Sequence, residues 1–530
     1  MGLGKVFTRV QLGLNTVMLT VEAHVGSGLP RFSVIGLASN AAKESRERIK
    51  SAILSSGFYF PAQRVVVNVA PASIVKTTST QFDLPIALSI LIASKQLKWP
   101  QLERFEFLGE LGLDGALHAC LGAAIVAKGV KACGHVLVTA SNNLAEITII
   151  DQLKYLTAPS LGQLAQLVSM LGRGKEATKI ANLNQYIKTV QVKVNANSVA
   201  SAAHEIVIDD LANIYGQAEA KRALEIAAAG GLNLLLIGPP GSGKSMLARS
   251  AKTLLPPLSY EAALENLMLY TIFGHHQKRY HIEDMLRPPF RHPHHSASLV
   301  ALIGGANPPV PGEISLANHG VLFLDELLEF SRHTLESLRE PLEERAVTIA
   351  RSGFSFKYPC HCQLIVAMNP CPCGNWGHPK TPCSCNVEAR RRYRQRLSGP
   401  LLDRLDLWVW VPPILEQLTS LASSQPAASP AAETSRVVLA RVVAARNIAL
   451  ARQRKLNAAL STIELERHAA LGSAEQEFLN QQLSKQAVSM RSFHRILKIA
   501  LTIADLAKAP AINVAHLREA LSYRQSSVVE

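Results

Sequence analysis

Eight consecutive residues near the middle of the chain restrict it to one kind of fold. An apolar strand-like stretch, Leu234–Ile237, runs into them, and a helix-favouring stretch, Met246–Leu254, follows. Together they match the phosphate-binding pattern GxxxxGK[ST] in the strand–loop–helix setting that this pattern requires. The phosphate loop therefore predicts an α/β nucleotide-binding core, and its residues are Gly238, Pro239, Pro240, Gly241, Ser242, Gly243, Lys244 and Ser245.

The residue types in the phosphate loop predict how a nucleotide binds. Glycines let backbone N–H groups wrap phosphate oxygens, and the helix that follows directs its positive end at them. We expect Lys244 to contact the β- and γ-phosphates and the Ser245 hydroxyl to ligate Mg²⁺. The predicted cofactors are therefore ATP and Mg²⁺.

Two further apolar strands end in polar residues. Gly320–Leu324 runs into Asp325 and Glu326, and Leu364–Met368 runs into Asn369. We expect Asp325 to hold Mg²⁺ through water and Glu326 to polarise the attacking water as a general base. Asn369 can reach the same water, or it can merely form a turn before the proline that follows. Behind a phosphate loop, these strands predict ATP hydrolysis rather than binding alone.

Composition narrows the class of protein and its partner. With 48% hydrophobic residues the chain can bury packed cores, which excludes global disorder. No apolar run reaches the ~20 residues of a membrane span, and the start of the chain lacks a signal-peptide core. We therefore expect a cytoplasmic protein with no membrane partner. The net charge of +15 favours a polyanionic partner, most simply nucleic acid, although a solvated basic surface would also account for it.

The chain divides into segments of different character. Residues 1–170 alternate strand-like and helical patterns, and residues 206–412 do so around the phosphate loop, so each predicts an α/β domain. Residues 171–205 and 413–435 are polar or low in complexity and predict linkers. Residues 436–530 are nearly free of proline and glycine and predict a helical bundle.

Most of the eight cysteines cluster in one short stretch. Clustered thiols in a cytosolic protein are more typical of metal binding than of disulfides. Two C-x-C pairs can supply four thiolates to a tetrahedral, structural Zn²⁺, and reduced structural thiols are the alternative. A catalytic zinc is not expected, because four thiolates leave no open position. The predicted ligands are Cys371, Cys373, Cys383 and Cys385.

Longer stretches along nearly the whole chain resemble a known family. They include GLPRFSVIGL, FDLPIAL, FLGELGLDG, RPPFRHPHHSAS, PGEISLANHGVLFLDEL, AMNPCPCG and RLSGPLLDRLDL. The chain resembles AAA+ ATPases of the magnesium-chelatase-like group, and within it the ComM/YifB family of bacterial proteins. The resemblance implies an AAA+ P-loop ATPase core with a helical lid. It also implies that a ribosomal-S5-domain-2-like (Lon-like) α/β domain precedes this core.

The resemblance assigns roles to two arginines. Arg404 matches the arginine finger, which reaches into the ATP of the neighbouring subunit and stabilises transition-state charge. Arg491 matches the sensor-2 arginine of the lid, and Arg495, one turn later, is the alternative. An active site that forms only between subunits implies a homo-oligomeric ring, which we expect to be hexameric.

Three basic segments are candidates for contact with DNA. Residues 287–298 and 303–315 match an insert that faces the ring channel in the resembled group, and residues 345–358 predict a pore hairpin. Residues 390–396 interleave arginines with a tyrosine, which suits a single strand. The alternative is that these arginines pair with acidic groups at subunit interfaces. The candidate contacts are Arg287, Arg291, His294, His295, Arg351, Lys357, Arg391 and Arg394.

The function implied by the resemblance is a motor that translocates on single-stranded, forked or branched DNA. It would act as a helicase and branch-migration ATPase in homologous recombination during natural transformation. A metal-chelatase motor subunit and a protein-remodelling ATPase are the alternatives. A Lon-type protease is disfavoured, because Ser79 lacks the expected glycine-rich setting and no matching lysine follows.

Overall fold

The computed structural model describes most of the chain. The described residues are 2–37, 39–74, 76, 80–171, 185–192, 209–274, 282–351, 354–413, 433–485 and 490–524. Ser79 and most of the two predicted linkers lie outside these residues.

A mixed sheet organises the first part of the chain. Its central strands, β1 (Gly2–Leu12) and β2 (Asn15–Gly26), form a long antiparallel hairpin. The remaining strands are β3 (Arg31–Ile35), β4 (Arg64–Ala70), β5 (Phe105–Leu108), β8 (Val136–Ala140), β9 (Lys154–Ala158) and β10 (Lys188–Thr189). Their order is β10-β9-β8-β5-β1-β2-β4-β3, and β6 (Glu110–Leu111) pairs separately with β7 (Leu117–His118).

The helices of this part cover the sheet with apolar side chains. The most apolar helix, Asp83–Ala93, packs against β1 and β2, and nearly all of its side chains are buried. An apolar helix that lacks a polar face requires such a fully covered position. The helices are α1 (Ser39–Ser55), α2 (Asp83–Ala93), α3 (Ala123–Ala132), α4 (Leu144–Ile147) and α5 (Leu161–Leu171).

A parallel sheet organises the second part and confirms the predicted mixed α/β fold. Its strands are β11 (Leu234–Ile237), β12 (Phe290–Arg291), β15 (Val321–Leu324), β18 (Gln363–Met368) and β19 (Leu407–Trp410). They run in the order β12-β15-β18-β11-β19. Alternate residues of β11 enter two different cores, which explains why the strand is apolar throughout. Because all the strands are parallel, their carboxyl ends form one edge of the sheet and their amino ends the other.

Short helices and two hairpins connect these strands. The helices are α6 (Ala218–Gly230), α7 (Lys244–Ser250), α8 (Tyr260–Phe273), α9 (Ile282–Met285), α10 (Leu299–Ile303), α11 (Glu313–Leu316), α12 (Arg332–Ser337), α13 (Arg339–Glu344), α14 (Val387–Arg394) and α15 (Gly399–Leu402). The smaller hairpin joins β13 (Gly304–Gly305) to β14 (Val310–Pro311). The larger, the basic hairpin, joins β16 (Ala346–Arg351) to β17 (Phe354–Pro359).

The last part of the chain is helical where the structure describes it. Its helices are α16 (Ser435–Gln453), α17 (Thr462–His468), α18 (Ser473–Lys485), α19 (Met490–Leu506) and α20 (Val514–Ser522). Helices α16 and α19 pack on α6, so this bundle shares one core with the parallel sheet. Across the described residues, the helices lack the combination of length and apolar composition that crossing a bilayer requires.

Direct contacts link the first part of the chain to the second. The β1–β2 turn at Gly13, whose φ is 62°, packs against Phe356 and Tyr358 of the basic hairpin. The Tyr260 hydroxyl donates a hydrogen bond to the carbonyl oxygen of Ile149. The first part of the chain therefore packs against the basic hairpin.

Candidate ATP site

The phosphate loop joins β11 to α7 and needs its glycines. Gly241 and Gly243 have φ angles of 77° and 88°, in the left-handed region that favours glycine. A Cβ at Gly238 would lie only 2.2 Å from the carbonyl oxygen of Val411. The loop therefore tolerates no side chain at these positions, and the helix begins at Lys244.

Lys244 is folded onto the loop that precedes it. Its Nζ donates hydrogen bonds to the carbonyl oxygens of Gly238, at 2.7 Å, and Pro239, at 2.8 Å. The same atom lies 3.3 Å from Oδ1 of Asn369, at the end of β18. Burial lowers the pKa of Lys244 to about 8. The side chain predicted to contact the phosphates therefore meets, at the carboxyl edge, the one predicted to reach the attacking water.

Ser245 and Asp325 also meet at this edge, although 80 residues separate them in the sequence. The Ser245 hydroxyl donates a hydrogen bond to Oδ2 of Asp325 at 2.6 Å, and Oδ1 of Asp325 accepts one from the Glu326 backbone at 2.9 Å. Hydroxyl and carboxylate oxygens are ligands that Mg²⁺ prefers. These converging oxygens fit a nucleotide-bound Mg²⁺.

Glu326 has an unusual backbone conformation for a residue with a side chain. Its φ is 50°, in the left-handed region. Its side chain is 54% exposed, and Oε2 lies 3.0 Å from Nδ1 of His295. The predicted general base is therefore in contact with a residue that the sequence indicates as a DNA contact.

The four predicted zinc ligands come together. The Sγ atoms of Cys371, Cys373, Cys383 and Cys385 lie within 4.8 Å of one another, and all four are free thiols. Sγ of Cys371 lies 3.4 Å from that of Cys373 and 3.7 Å from that of Cys383. A tetrahedral zinc with its usual bond lengths requires sulfur–sulfur distances of about 3.8 Å. The cluster therefore fits one zinc ion.

The cysteine loop, residues 371–385, packs directly on the nucleotide site. It begins two residues after Asn369, and a Cβ at Gly374 would lie 2.6 Å from Cδ of Pro240. The Trp376 backbone donates a hydrogen bond to Sγ of Cys371, and its ring meets that of Trp410 edge-on. The thiol cluster and the phosphate loop therefore share a packing surface.

Arg404 lies at the opposite edge of the sheet. It precedes β19, whose first residue, Leu407, pairs in register with the first residue of β11, Leu234. The phosphate loop leaves β11 after its last residue, which is about 10 Å further along at the usual rise per residue. Arg404 is 13% exposed and forms an ion pair with Glu343.

Both candidates for the sensor-2 arginine lie at the amino edge too. Arg491 is 67% exposed, and its guanidinium lies 3.9 Å from Asp403. Arg495 bonds at 3.0 Å to Asp406, whose other oxygen accepts a hydrogen bond from the backbone of Asn233, just before β11. Arg491 is therefore exposed and close to Arg404. Arg495, in contrast, forms an ion pair with Asp406 of its own chain.

Two of the predicted DNA contacts, Arg291 and Arg394, interact with side chains of their own chain. Arg291 forms a bidentate pair with Glu313, with both distances 2.6 Å. The Arg394 guanidinium lies 4.7 Å from the centre of the Trp376 ring. The sequence provides no signal for these partners, since contacts between distant positions leave no periodic pattern.

Other predicted contacts are exposed. Lys357 lies on the open face of the basic hairpin, across from Thr348, and Arg351 lies near its tip. Arg391 is exposed on α14, and Arg287 is exposed after α9. His294 is exposed, and Nδ1 lies 2.8 Å from the Ser296 hydroxyl.

Comparison with family models defines the class of protein. Residues 210–418 match "Magnesium chelatase, subunit ChlI", residues 21–143 match "Subunit ChlI of Mg-chelatase", and residues 432–524 match its C-terminal model. The parallel sheet, the phosphate loop and these matches define a magnesium-chelatase-like AAA+ ATPase.

Individual relatives narrow the class further. YifB of Salmonella typhimurium is 41% identical over 528 residues, which cover 99% of this chain and 97% of that protein. Competence protein ComM of Haemophilus influenzae is 39% identical over 526 residues, which cover 99% and 98%. The chain therefore belongs to the ComM/YifB family, which confirms the resemblance seen in its motifs. A shorter stretch of 213 residues, 37% of this chain and 20% of the relative, is 24% identical to DNA replication licensing factor Mcm2 of Drosophila melanogaster.

Proposed function

We propose that this protein is a ring-forming, cytoplasmic motor that hydrolyses ATP to translocate on single-stranded, forked or branched DNA. It acts as a helicase and branch-migration ATPase in homologous recombination during natural transformation. The convergence of Lys244, Ser245, Asp325 and Asn369 at one sheet edge carries the ATPase part. The net charge and the names of two relatives, a competence protein and a DNA replication factor, support the DNA part.

Each side chain at the carboxyl edge has a defined task in this proposal. Lys244 exchanges its carbonyl partners for the β- and γ-phosphates of ATP. Ser245 and Asp325 would hold Mg²⁺, which neutralises phosphate charge when bound. Asn369 orients the attacking water, and Glu326 accepts its proton.

The arginines at the amino edge complete the site of a neighbouring subunit. Arg404 and Arg491 lie about one strand length from the phosphate loop of their own chain. Head-to-tail contacts between identical chains bring the amino edge of one to the carboxyl edge of the next, and such contacts close into rings. Arg404 must then leave Glu343 for the nucleotide, and we propose a homohexamer.

The cysteine loop provides a structural zinc site in this proposal. The four thiolates would satisfy zinc completely, so the ion would cross-link the loop and take no part in hydrolysis. Because the loop packs on Pro240 and follows Asn369, its order supports the geometry of the phosphate site. The chemistry remains with the side chains at the carboxyl edge.

The basic hairpin is the proposed contact with DNA in the ring channel. Its inner face is anchored by Val347, Ile349, Phe356 and Tyr358, all buried. The anchored hairpin presents Lys357 and Arg351 outward, where they can contact backbone phosphates. The first domain, which we propose to be ribosomal-S5-domain-2-like (Lon-like), supports the hairpin through Gly13.

A metal-chelatase motor subunit is the second candidate function, because all three family models carry the name of magnesium chelatase. The two functions differ in what they bind. A DNA motor binds DNA with a steep dependence on salt concentration, because bound counterions are released from the phosphates. A chelatase motor does not need DNA at all.

The decisive experiment uses a labelled four-way DNA junction with and without ATP and Mg²⁺. We expect the wild-type protein to resolve the junction into forks only with ATP. Glu326→Gln should bind the junction but not resolve it, since it retains the phosphate contacts and lacks the general base. Absence of both binding and resolution at low salt would contradict the DNA function and favour the second candidate.

A further inference from the structure

An open pocket lies between the cysteine loop and the arginine-rich helix α14. Its volume is about 440 Å³, within the range of about 300–1,000 Å³ that is typical of ligand pockets. Trp376 lines it from the cysteine loop, and Arg390, Arg391 and Arg394 line it from α14. The proposed ATPase mechanism uses none of these four side chains. This arginine pocket therefore combines an aromatic ring with positive charge and has no role assigned to it.

The ring of Trp376 is held in place on the side of the cysteine loop. Its backbone N–H donates a hydrogen bond to Sγ of Cys371 at 3.3 Å, and its ring meets that of Trp410 edge-on at 6.1 Å. The Arg394 guanidinium lies 4.7 Å from the centre of the Trp376 ring, and its Nε donates a hydrogen bond to the carbonyl oxygen of Pro370 at 3.5 Å. Trp376 and Arg394 therefore form a cation–π pair that is ordered without a ligand.

Arg390 and Arg391 bring charge that the chain itself does not neutralise. Within the described part of the chain, neither of them forms an ion pair, whereas their neighbour Arg392 pairs with Glu388 at 3.3 Å. Among the described residues that line the pocket, none carries a carboxylate. Guanidinium groups of this kind bind phosphate well, because their N–H donors match its oxygens.

A ligand that satisfies the whole pocket has a flat aromatic ring beside a negative charge. A nucleotide of a single DNA strand has both, since unpaired bases stack on aromatic rings and on guanidinium groups while backbone phosphates pair with arginine. Gln395 also lines the pocket, and its amide can form a hydrogen bond with the edge of a base. A paired base inside a duplex is already stacked on both faces. An acidic peptide would use the charge and leave the Trp376 ring without a partner.

We propose that the arginine pocket binds an unpaired base of single-stranded DNA. The base stacks on the pair of Trp376 and Arg394, and Arg390 and Arg391 contact the neighbouring phosphates. This inference rests on the proposed function and adds to it a DNA contact outside the basic hairpin. Forked DNA exposes unpaired bases where its strands separate, so the pocket distinguishes a separated strand from a duplex.

The test compares two single-stranded oligonucleotides of equal length and charge, one of thymidines and one of abasic sites. Fluorescence anisotropy measures the Kd of the full-length protein for each at the same salt concentration. We expect the wild type to bind the thymidine strand about tenfold more tightly, because the abasic strand has no base to stack. Trp376→Ala should bind both strands equally, while Trp376→Phe, which retains an aromatic ring, should keep most of the preference.

Two further variants separate stacking from charge. Arg391→Ala should weaken the binding of both strands a few-fold and leave the ratio of the two Kd values unchanged, because both strands have the same phosphates. Tyr59→Ala is the matched control for the loss of an aromatic side chain. Tyr59 belongs to the first part of the chain, is 61% exposed and has no assigned role. Its substitution should leave both Kd values unchanged.

A second measurement uses the wild type and does not depend on the folding of a variant. A strand that contains 5-iododeoxyuridine is bound to the protein and irradiated, and the cross-linked residue is identified by mass spectrometry. This base reacts with aromatic rings on which it stacks, so we expect a cross-link at Trp376.

Three results would overturn the inference. A preference for the thymidine strand that persists in Trp376→Ala, or cross-links that omit Trp376, would place base stacking elsewhere on the protein. Equal binding of the two strands by the wild type would show that the protein contacts only the DNA backbone, and the proposed DNA function would stand. Failure of the wild type to bind either strand at low salt would contradict the DNA function and this inference with it.

Discussion

The two edges of the parallel sheet carry different halves of the proposed catalytic site. At the carboxyl edge, Lys244 of the phosphate loop lies within hydrogen-bonding distance of Asn369, and Ser245 within that of Asp325. The amino edge holds Arg404 and Arg491, which contact only acidic side chains of their own chain among the interactions described above. In the proposed function, the first half binds ATP by itself, whereas the second has no phosphate of its own chain to stabilise. The difference supports the proposal that the complete site lies between two subunits.

Removal of Arg404 should have the largest effect on this arrangement. Arg404→Ala should lower ATP hydrolysis by about a thousandfold, because an arginine finger stabilises charge that develops only in the transition state. ATP affinity, measured with a fluorescent nucleotide, should change little. Arg467→Ala, at an exposed position of α17, is the control. Equal losses of affinity and hydrolysis would place Arg404 in the ground-state binding site instead.

Loss of the thiol cluster should damage the carboxyl edge. The double variant Cys371→Ser and Cys383→Ser should contain no zinc and should hydrolyse ATP about a hundredfold more slowly, since small displacements of catalytic groups have effects of this size. Metal analysis and phosphate release measure the two effects. Cys133→Ala, which alters an exposed cysteine of the first domain, should leave both unchanged. Full activity in zinc-free protein would show that the cluster does not support the site.

Substitution of the two lid arginines should have different effects, one on the rate of hydrolysis and the other on the stability of the fold. Arg491→Ala should slow hydrolysis about tenfold, because in the proposed ring its exposed guanidinium would stabilise the nucleotide of the neighbouring subunit. Arg495→Ala should instead reduce the free energy of unfolding by about 1–2 kcal/mol, since Asp406 loses a partner. Rate measurements and thermal unfolding of both variants provide the comparison. The reverse assignment of effects would identify Arg495 as the catalytic arginine.

The basic hairpin should affect DNA binding without affecting nucleotide binding. Lys357→Ala should lower DNA affinity a few-fold and reduce the slope of log affinity against log salt by about 1. Arg291→Ala should leave that slope unchanged, because Arg291 is paired with Glu313. Titrations at several salt concentrations test both. A change of slope for Arg291→Ala alone would indicate that the DNA contacts the segment around Arg291 instead of the basic hairpin.

The weakest expected effect concerns the partner of Arg404. Glu343→Gln removes the charge that holds the guanidinium in its own chain, and it should raise hydrolysis by about twofold at most, because Glu343 is largely exposed. Steady-state rates at saturating ATP measure the change. A strong decrease would mean that Glu343 positions Arg404 for catalysis.

The carboxyl edge could be predicted from the sequence because each of its groups follows a strand directly. The phosphate loop follows Ile237, Asp325 follows Leu324 and Asn369 follows Met368, so parallel pairing brings them together. The cysteine cluster was predictable for a different reason, because its two C-x-C pairs lie close together in the sequence. These features need only local patterns and one sheet.

The partners of the basic residues could not be predicted. Arg404 and Glu343 are 61 residues apart, and Arg291 and Glu313 are 22 apart, without any periodicity that links them. The sequence indicates His295 as a DNA contact but contains no sign of its contact with Glu326. Such pairs arise from loop conformations, which depend on tertiary packing rather than on residue patterns.

A mixing experiment tests most directly whether the two edges form one site between subunits. Lys244→Ala lacks the phosphate contact but keeps Arg404, and Arg404→Ala has the converse defect. Each variant alone should be inactive. Mixed rings should regain hydrolysis, because some interfaces then combine an intact carboxyl edge with an intact amino edge. If mixtures stay as inactive as the separate variants while mixed rings form, Arg404 acts within its own chain and the account is contradicted.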